Sequence, residues 1–166
     1  MKINIAGVLK HSSVNGPGVR YVLFTQGCIH NCAGCQNPET HDGQGGSLMD
    51  VEDVAQDILE TKYLDGVTLS GGDPFYRPEA MLELLKILKS KNMNIWVYTG
   101  WKLEDILEGK PGEGSRESLD YIDVLVDGRF NEELKSSNCI YRGSTNQRLI
   151  DIKATLEQGS IVEYRP

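Results

Sequence analysis

The sequence predicts an α/β fold built around a mostly parallel sheet. Short β-rich runs alternate with segments whose apolar residues recur at helical spacing, and glycine-containing turns follow several of these runs. Such alternation indicates βα units, because parallel neighbouring strands need a crossover that is usually a helix. Strands are predicted at Ile3–Val8, Val19–Thr25, Gly66–Leu69, Ile95–Tyr98 and Tyr121–Val126, helices at Asp50–Tyr63, Pro78–Lys89 and Leu103–Glu108, and a closing pair of strands at Leu149–Ile152 and Ile161–Tyr164.

Each element has its own local signal. Val19–Thr25 is rich in β-branched and aromatic residues, as strands are. Gly66–Leu69 and Ile95–Tyr98 are short apolar runs that each lead into a turn. In Asp50–Tyr63 the apolar residues are spaced three and four apart, which is typical of one helix face. Pro78–Lys89 carries its proline in the first turn, where a missing N–H is tolerated.

Composition limits the classes of function. The 166 residues predict one domain, residues 1–166. A net charge of −7 argues against nucleic-acid binding, which needs a basic surface. Met1–Lys10 lacks the apolar centre of a signal peptide, and no apolar run approaches the ~20 residues of a spanning helix. We therefore expect a cytoplasmic protein without a nucleic-acid or membrane partner, whose four cysteines are ligands or catalysts.

The segments that carry chemistry stand at the ends of predicted strands. A cysteine-rich loop follows the second strand, a Gly-Gly-Asp-Pro turn at residues 71–74 follows the third, and Thr99 follows the fourth. In parallel sheets, ligands bind at the carboxyl ends of the strands. We therefore expect these three segments to meet at one edge of the sheet.

The cysteine-rich loop holds the motif C-x3-C-x2-C, formed by Cys28, Cys32 and Cys35. Thiolates are soft ligands that suit iron–sulfur clusters, zinc or Cu(I). An ordinary [4Fe–4S] cluster and a closed structural zinc site each take four protein ligands. Three thiolates leave one iron of a cluster open, as chemistry on a bound substrate requires. We expect these cysteines to be the metal ligands and the catalytic centre.

A structural zinc site is the alternative for this loop. Its fourth ligand would be His30, His41 or Cys139. His30 lies between two of the cysteines and is awkwardly placed for the same ion, and Cys139 belongs to no motif. Metal analysis separates the two kinds of site, because zinc leaves a protein colourless and an iron–sulfur cluster makes it brown.

The turn at residues 71–74 is suited to approach a ligand. Consecutive glycines permit positive φ and close contact with backbone. The Asp73 carboxylate, together with free backbone carbonyls, is suited to hold an ammonium group. For this segment alone, an ordinary βα turn is an equally good interpretation.

The two motifs together resemble the signature of the radical S-adenosylmethionine (SAM) superfamily. The resemblance implies a [4Fe–4S] cluster on the three cysteines, with the amino and carboxylate groups of SAM on the fourth iron. It implies backbone contacts to adenine from the end of the cysteine loop, where Gly34 replaces the usual aromatic residue. The Gly-Gly-Asp-Pro turn matches a G-G-E-P motif that contacts the methionine amino group. The SAM-binding residues expected on this basis are Gly34, Cys35, Gln36, Gly71, Gly72, Asp73, Pro74 and Thr99.

Further segments narrow the resemblance. Residues 15–20 (NGPGVR) are similar to the D-G-P-G-x-R segment of glycyl-radical-enzyme activases. Residues 98–101 (YTGW), 126–130 (VDGRF) and 142–148 (RGSTNQR) resemble the activating proteins of anaerobic (class III) ribonucleoside-triphosphate reductase. The resemblance runs from about residue 15 to residue 148. It implies a truncated, partly open (βα) barrel of the radical SAM type.

This resemblance also implies an activity and its partners. A low-potential donor, flavodoxin- or ferredoxin-like, reduces the cluster. Reductive cleavage of SAM then gives methionine and a 5′-deoxyadenosyl radical, which removes a hydrogen from a backbone glycine of the large subunit of the reductase.

Two rival functions are distinguishable from this one. The first is a radical SAM enzyme that acts on a small molecule, as the deazaguanine-forming synthase does, and it needs a closed, polar pocket. The second is a zinc-binding interaction module. The sequence leaves Arg20 open between a carboxylate contact and a surface ion pair. Asp123 and Asp127 are either ligands for SAM hydroxyls or a turn carboxylate and a buried cap, and residues 142–148 are either a cluster of donors or a solvated turn.

Overall fold

The computed structural model describes all residues, 1–166, and one seven-stranded sheet organises the chain. The strands lie in the order β3-β1-β2-β4-β5-β6-β7. They are β1 Lys2–Ser12, β2 Arg20–Thr25, β3 Ser47–Asp50, β4 Gly66–Gly71, β5 Ile95–Tyr98, β6 Val124–Asp127 and β7 Arg148–Asp151. The α-helices are α1 Val51–Glu60, α2 Pro78–Ser90, α3 Leu103–Leu107, α4 Ser115–Ser118 and α5 Ile152–Gln158.

The centre of the sheet is parallel and its margins are antiparallel. β2, β4, β5 and β6 pair in parallel, whereas β1 is antiparallel to β2 and to β3, and β7 is antiparallel to β6. Five of the seven strands therefore point the same way. The edge strands β3 and β7 do not pair with each other, so the sheet is open. The α/β fold with a mostly parallel sheet is confirmed, and the curvature of a partial barrel stays a prediction.

The helices cover one face of the sheet. Successive strand residues face opposite sides, and Leu23, Leu69 and Val97 project into the large core that contains buried residues of α1, α2 and α3. A smaller cluster around Trp96 lies apart from that core. Because the helices pack into the large core, the opposite face of the parallel strands is left without a helix.

None of the helices has the length and apolar character needed to cross a bilayer.

Arg20 is buried at the start of β2, on the helix-free face. Its guanidinium donates hydrogen bonds to the Thr68 hydroxyl (2.8 Å), to the Val67 carbonyl (3.0 Å) and to the Asn94 side chain (2.9 Å), and it lies over the Trp96 ring. Burial lowers the pKa of Arg20 to about 10. The side chain has no carboxylate partner, so both functions that the sequence left open for it, a carboxylate contact and a surface ion pair, are wrong. Arg20 ties together the beginnings of β2, β4 and β5.

The remaining differences from the predicted elements lie at the margins of the sheet. β3 was missed because its side chains are largely exposed, which leaves no alternation of apolar and polar residues. The strand predicted at Leu149–Ile152 is present as β7 at Arg148–Asp151, but helix α5, which begins directly after it at Ile152, was not predicted. The cue for this helix is present, since the Asp151 carboxylate accepts a hydrogen bond from the Ala154 N–H at the first turn. The closing pair exists only as a bridge between Ile150 and Glu163.

We predict that Arg20→Met lowers the free energy of unfolding by about 2–4 kcal/mol, because several buried acceptors lose their donor at once. Urea unfolding followed by circular dichroism measures the change. Arg165→Met is the matched control at an exposed position, and it should stay within about 0.5 kcal/mol of the wild type. Equal stability of the Arg20 and Arg165 variants would contradict this account of the buried guanidinium.

Candidate active site

A cavity of about 490 Å³ opens at the carboxyl ends of β2, β4 and β5, on the helix-free face. Phe24, Ser70 and Tyr98 form its floor, and they stand at the same level of three adjacent parallel strands. The residue that precedes each of them packs into the core under the helices. The pleat of the sheet thus divides these strands into a core face and a cavity face.

Loops supply the other walls of the cavity. One wall is the end of the cysteine motif, and another comes from the long β6–β7 connection at residues 128–147. Connections of this length inside a compact domain are commonly functional. The loop residues that line the cavity are Val14, Asn15, Cys35, Gln36, Asn37, Phe130, Tyr141, Arg142, Gly143 and Gln147.

The cysteine loop, residues 28–35, begins at a fixed root. The Gly27 N–H donates to the Thr40 carbonyl (2.6 Å), and the Cys28 N–H donates to the His41 carbonyl (3.2 Å). From the other side, the Asp73 N–H donates to the Gly27 carbonyl (2.8 Å). Backbone hydrogen bonds therefore hold the first cysteine between the segment at residues 40–41 and the turn after β4.

The thiols of Cys28, Cys32 and Cys35 are partly buried, and none of them forms a disulfide. Burial raises the pKa of Cys28, an effect opposed by a hydrogen bond from the His30 backbone. Burial also raises the pKa of Cys32, opposed by the Phe130 backbone N–H. No three His, Cys, Asp or Glu side chains lie close enough together to bind a single metal ion. The three ligands of a [4Fe–4S] cluster lie farther apart than the ligands of one ion, because each thiolate binds a different iron.

The Asp73 carboxylate joins the three segments that the sequence places at strand ends. It is almost fully buried. Its oxygens accept hydrogen bonds from His30 Nε2 (2.7 Å), from the Thr99 hydroxyl (2.9 Å to each oxygen), from the Gly100 N–H (2.9 Å) and from the Phe75 N–H (2.9 Å). The cysteine loop, the turn after β4 and the end of β5 are thus bound to one side chain. The expected convergence of the three segments is confirmed.

The two glycines before Asp73 are required by the protein's own backbone. Gly71 has φ of +107°, and a Cβ there would lie 2.2 Å from the Thr25 nitrogen. A Cβ on Gly72 would lie 2.3 Å from the Gly27 carbonyl oxygen. The turn therefore packs directly against the root of the cysteine loop, and a side chain at either glycine would separate them.

The predicted SAM-binding residues fall into three groups. Cys35 and Gln36 line the cavity, next to Asn37. Asp73 and Thr99 lie below it in the buried network, so their polar atoms are already engaged within the protein. The other predicted residues, Gly34, Gly71, Gly72 and Pro74, do not line the cavity.

The RGSTNQR segment largely builds its own loop. The Gln147 side-chain oxygen accepts from the N–H groups of Gly143 (2.9 Å) and Ser144 (3.1 Å), and its amide donates to the Gly128 carbonyl (3.1 Å). Arg148 binds Asp127, which also accepts from the Leu103 N–H (2.8 Å). Asp127 is therefore a buried cap.

Asp123 also has a structural role. It binds Lys89, and it accepts a hydrogen bond from the Ile95 N–H (2.7 Å) at the start of β5. Both carboxylates that the sequence left open as possible ligands are thus engaged away from the cavity.

Two buried nitrogen atoms at the site have no hydrogen-bond partner, Nδ1 of His30 and Nε of Arg142. Buried polar groups are rarely unpaired in folded proteins. The His30 nitrogen lies within the cysteine loop, and the Arg142 nitrogen belongs to a residue that lines the cavity. The cavity volume also lies in the range of small-molecule sites. Cys35 lines this cavity, and Cys28 and Cys32 belong to the same loop. Three soft thiolates in one loop are a donor set that suits a [4Fe–4S] cluster.

Sequence reasoning missed several of these residues. Phe24 and Ser70 could have been assigned to the cavity face, because they alternate with apolar neighbours along short strands. The His30–Asp73 contact had no such signal, since the two residues are 43 positions apart in the chain. Phe130 was noted only as part of a family segment, and its contribution to the cavity wall depends on how the β6–β7 connection folds back.

Comparison with known proteins agrees with this geometry. The profile of the family described as "4Fe-4S single cluster domain" matches residues 14–150. The anaerobic ribonucleoside-triphosphate reductase-activating protein of Enterobacteria phage T4 is 39% identical over 142 residues, which cover 82% of this chain and 86% of the relative. The proteins of that name from Escherichia coli K12 and Haemophilus influenzae are each 37% identical; both alignments cover 81% of this chain, with 89% and 88% of the respective relatives.

A solved structure supports the fold. The crystal structure of QueE from Escherichia coli aligns with a TM-score of 0.50 and 16% sequence identity, over 76% of this chain and 70% of that one. At this identity the likeness concerns the fold alone. It agrees with the open, mostly parallel sheet described above.

The family model and the relatives define the class: this is a radical SAM enzyme with a [4Fe–4S] cluster and SAM as its cofactors. Within that class the matches extend over about four-fifths of the chain. The chain belongs to the family of anaerobic ribonucleoside-triphosphate reductase-activating proteins.

We predict that Asp73→Asn lowers the free energy of unfolding by about 2–4 kcal/mol, because an amide NH₂ would then face donors that need an acceptor. The same change should reduce the iron retained after anaerobic reconstitution, since the cysteine loop loses its anchor. Urea unfolding and iron analysis measure the two effects.

The exposed Asp120 offers a matched control for this substitution. Asp120→Asn should leave both the unfolding midpoint and the iron content unchanged. If Asp73→Asn behaves like Asp120→Asn in both measurements, the carboxylate does not hold the three segments together.

Proposed function

We propose that this chain activates an anaerobic ribonucleoside-triphosphate reductase by generating a glycyl radical on its large subunit. The observation that carries the proposal is a cysteine-bounded cavity at the strand ends, in a chain whose relatives bear the name of reductase-activating proteins. When bound, the cluster and SAM supply the 5′-deoxyadenosyl radical that removes a hydrogen atom from the partner's glycine.

The proposed cluster ligands are Cys28, Cys32 and Cys35. The C-x3-C-x2-C spacing supports this, as do the three unpaired, partly buried thiols. Cys139 is left out of the proposed set because it belongs to no motif. The sheet, on this proposal, is the opened wall of a truncated (βα) barrel, and residues 1–166 make one radical SAM domain.

The proposed SAM site combines a contact layer and a supporting layer. Cys35 and Gln36, which line the cavity, would contact SAM through their backbone. Gly34 and the turn at residues 71–74 do not line the cavity, so on this proposal their backbone would contact the part of SAM that is held at the cluster. Asp73 and Thr99 act mainly by positioning that backbone, because their polar side-chain atoms are already hydrogen-bonded to each other and to neighbouring residues. The ammonium group of SAM would then meet the carbonyls of the turn rather than the Asp73 carboxylate.

The cavity wall explains why a protein partner is proposed as the substrate. A small substrate would need an enclosed pocket with dedicated polar groups. Here the lining residues belong mostly to loops, and Arg142 is the charged residue among them. A glycine offers no side chain to recognise, so positioning must come from the partner's surrounding loop. Holding the reacting atoms about 3–3.5 Å apart is the main contribution expected of the docked complex.

The proposal also includes a cytoplasmic location and an external low-potential electron donor. Four unpaired cysteines are typical of a reducing compartment. A flavodoxin- or ferredoxin-like protein would supply the electron, because SAM cleavage consumes one electron from the cluster in each event.

We predict that alanine in place of Cys28, Cys32 or Cys35 abolishes both stable iron binding and the glycyl radical, because each substitution removes a cluster ligand. Iron and sulfide analysis, followed by electron paramagnetic resonance of the reductase mixed with reductant and SAM, measures the two outcomes. Cys139→Ala is the matched control and should retain both. An essential Cys139 would contradict the three-cysteine site.

A second prediction concerns the partner. Alanine in place of the reductase's radical-site glycine should eliminate the oxygen-sensitive radical signal, while this chain still cleaves SAM in the presence of reductant. The hydrogen donor is then lost but the cluster chemistry is intact. SAM cleavage stimulated by a small molecule, with no radical on the unaltered reductase, would instead favour a small-molecule enzyme.

A further inference from the structure

We propose that His41 raises the reduction potential of the cluster by donating a hydrogen bond from Nε2 to the sulfur of Cys35. The two atoms are 3.4 Å apart. This inference rests on the proposed function, since it takes Cys35 as a cluster ligand. His41 is thereby a positioning and tuning residue, which acts on the cluster only through Cys35.

The His41 ring is held in place by the same hydrogen bonds that fix the cysteine loop. Its backbone N–H donates to the Pro38 carbonyl (3.2 Å), which closes the short turn Pro38–Thr40. Its carbonyl accepts from the Cys28 N–H (3.2 Å). The residue therefore bridges two of the proposed ligands, with its backbone on Cys28 and its side chain on Cys35.

The chemistry of a bound thiolate decides the direction of the hydrogen bond. A cysteine sulfur bound to iron carries no proton and can only accept. The hydrogen must therefore lie on Nε2 of His41. The neutral ring satisfies this in one of its two tautomers, so the contact requires no change of charge on the histidine.

Such a hydrogen bond favours the reduced cluster. Reduction adds negative charge that is shared with the sulfur ligands, and a donor N–H interacts more strongly with the more negative state. Hydrogen bonds to the sulfurs are among the factors that set iron–sulfur potentials. An easier reduction matters in this enzyme, because the electron must come from an external donor.

His41 differs from the other donors around the cysteines. Its ring nitrogen makes the side-chain contact to a cysteine sulfur, whereas the groups that oppose the raised pKa of Cys28 and Cys32 are backbone groups of His30 and Phe130, which substitution cannot remove. The His30 side chain is already committed to Asp73 at 2.7 Å. The donor that His41 supplies to Cys35 can therefore be removed by changing one side chain.

The test is an anaerobic redox titration of the reconstituted protein, without reductase or SAM, read by the absorbance and electron paramagnetic resonance of the cluster. His41→Phe keeps an aromatic ring but removes the donor. At the wild-type midpoint potential, its ratio of reduced to oxidised cluster should fall about three- to tenfold. His41→Gln, whose amide N–H can reach the same sulfur, should stay within about twofold of the wild type.

His11→Phe is the matched control. This exposed histidine contacts the Lys62 carbonyl near the end of β1, at the opposite end of β2 from the cysteine loop. It should leave the potential unchanged. A His41→Phe variant that retains its iron and titrates like the wild type overturns the inference, and so does an equal shift in His41→Phe and His41→Gln.

A second measurement reads the hydrogen bond directly in the wild type. Protein whose histidines carry ¹⁵N only in the imidazole ring should show a weak nitrogen coupling to the reduced cluster, and this coupling should be absent when His41 is replaced by Gln. No histidine coupling in the wild type overturns the inference. Failure of the wild type to bind iron at all would overturn the proposed function instead, so the two failures are distinguishable.

Discussion

The geometry of this site depends on the burial of one carboxylate. Asp73 is 1% exposed and accepts from four separate donor groups. A buried charge is costly unless it is hydrogen-bonded on all sides. The donors must therefore be present together, and they come from the cysteine loop, from the turn after β4 and from the end of β5. Satisfying Asp73 requires these three segments to meet.

This requirement links the two halves of the site. His30 belongs to the cysteine loop, whereas Thr99 and Gly100 follow β5. A displacement of the loop would remove one of the four donors from the buried Asp73 carboxylate and would leave the His30 ring without its partner, which is unfavourable for both. The parallel strands bring the segments to one edge of the sheet, and the carboxylate fixes their relative positions. Arg20 has a comparable role at the opposite ends of β2 and β4, where it holds the strand beginnings together.

Much of the fold was predictable because local and global preferences agree. The central strands are short, apolar and followed by turns, and the helices have clear apolar faces, so β2, β4 and β5 were placed to within a few residues. β3 and α5 were not, because an exposed edge strand lacks a pattern and a helix start was hidden in a β-rich run. The curvature of the sheet depends on packing that no local pattern encodes.

The site was predictable in part, for a related reason. The cysteine spacing and the Gly-Gly-Asp-Pro turn predict the chemistry together, through their resemblance to the radical SAM signature, whereas each segment alone leaves a structural alternative open. The role of the Asp73 side chain was not predictable, because its donors lie 43 and 26 residues away in the chain at His30 and Thr99. The cavity wall from residues 128–147 was also hidden. The course of that long loop depends on contacts such as Gln147 with Gly128, and not on any repeating pattern.

The central claim is that three cysteines hold a cluster with one iron left open for SAM. Electron–nuclear double resonance of the reduced cluster, with SAM carrying ¹⁵N at its amino group, tests this claim most directly. We expect a strong ¹⁵N coupling, since the amino group would bind the open iron, and we expect its loss when unlabelled SAM replaces the labelled compound. A reduced cluster that binds SAM without any ¹⁵N coupling would contradict the open-iron site.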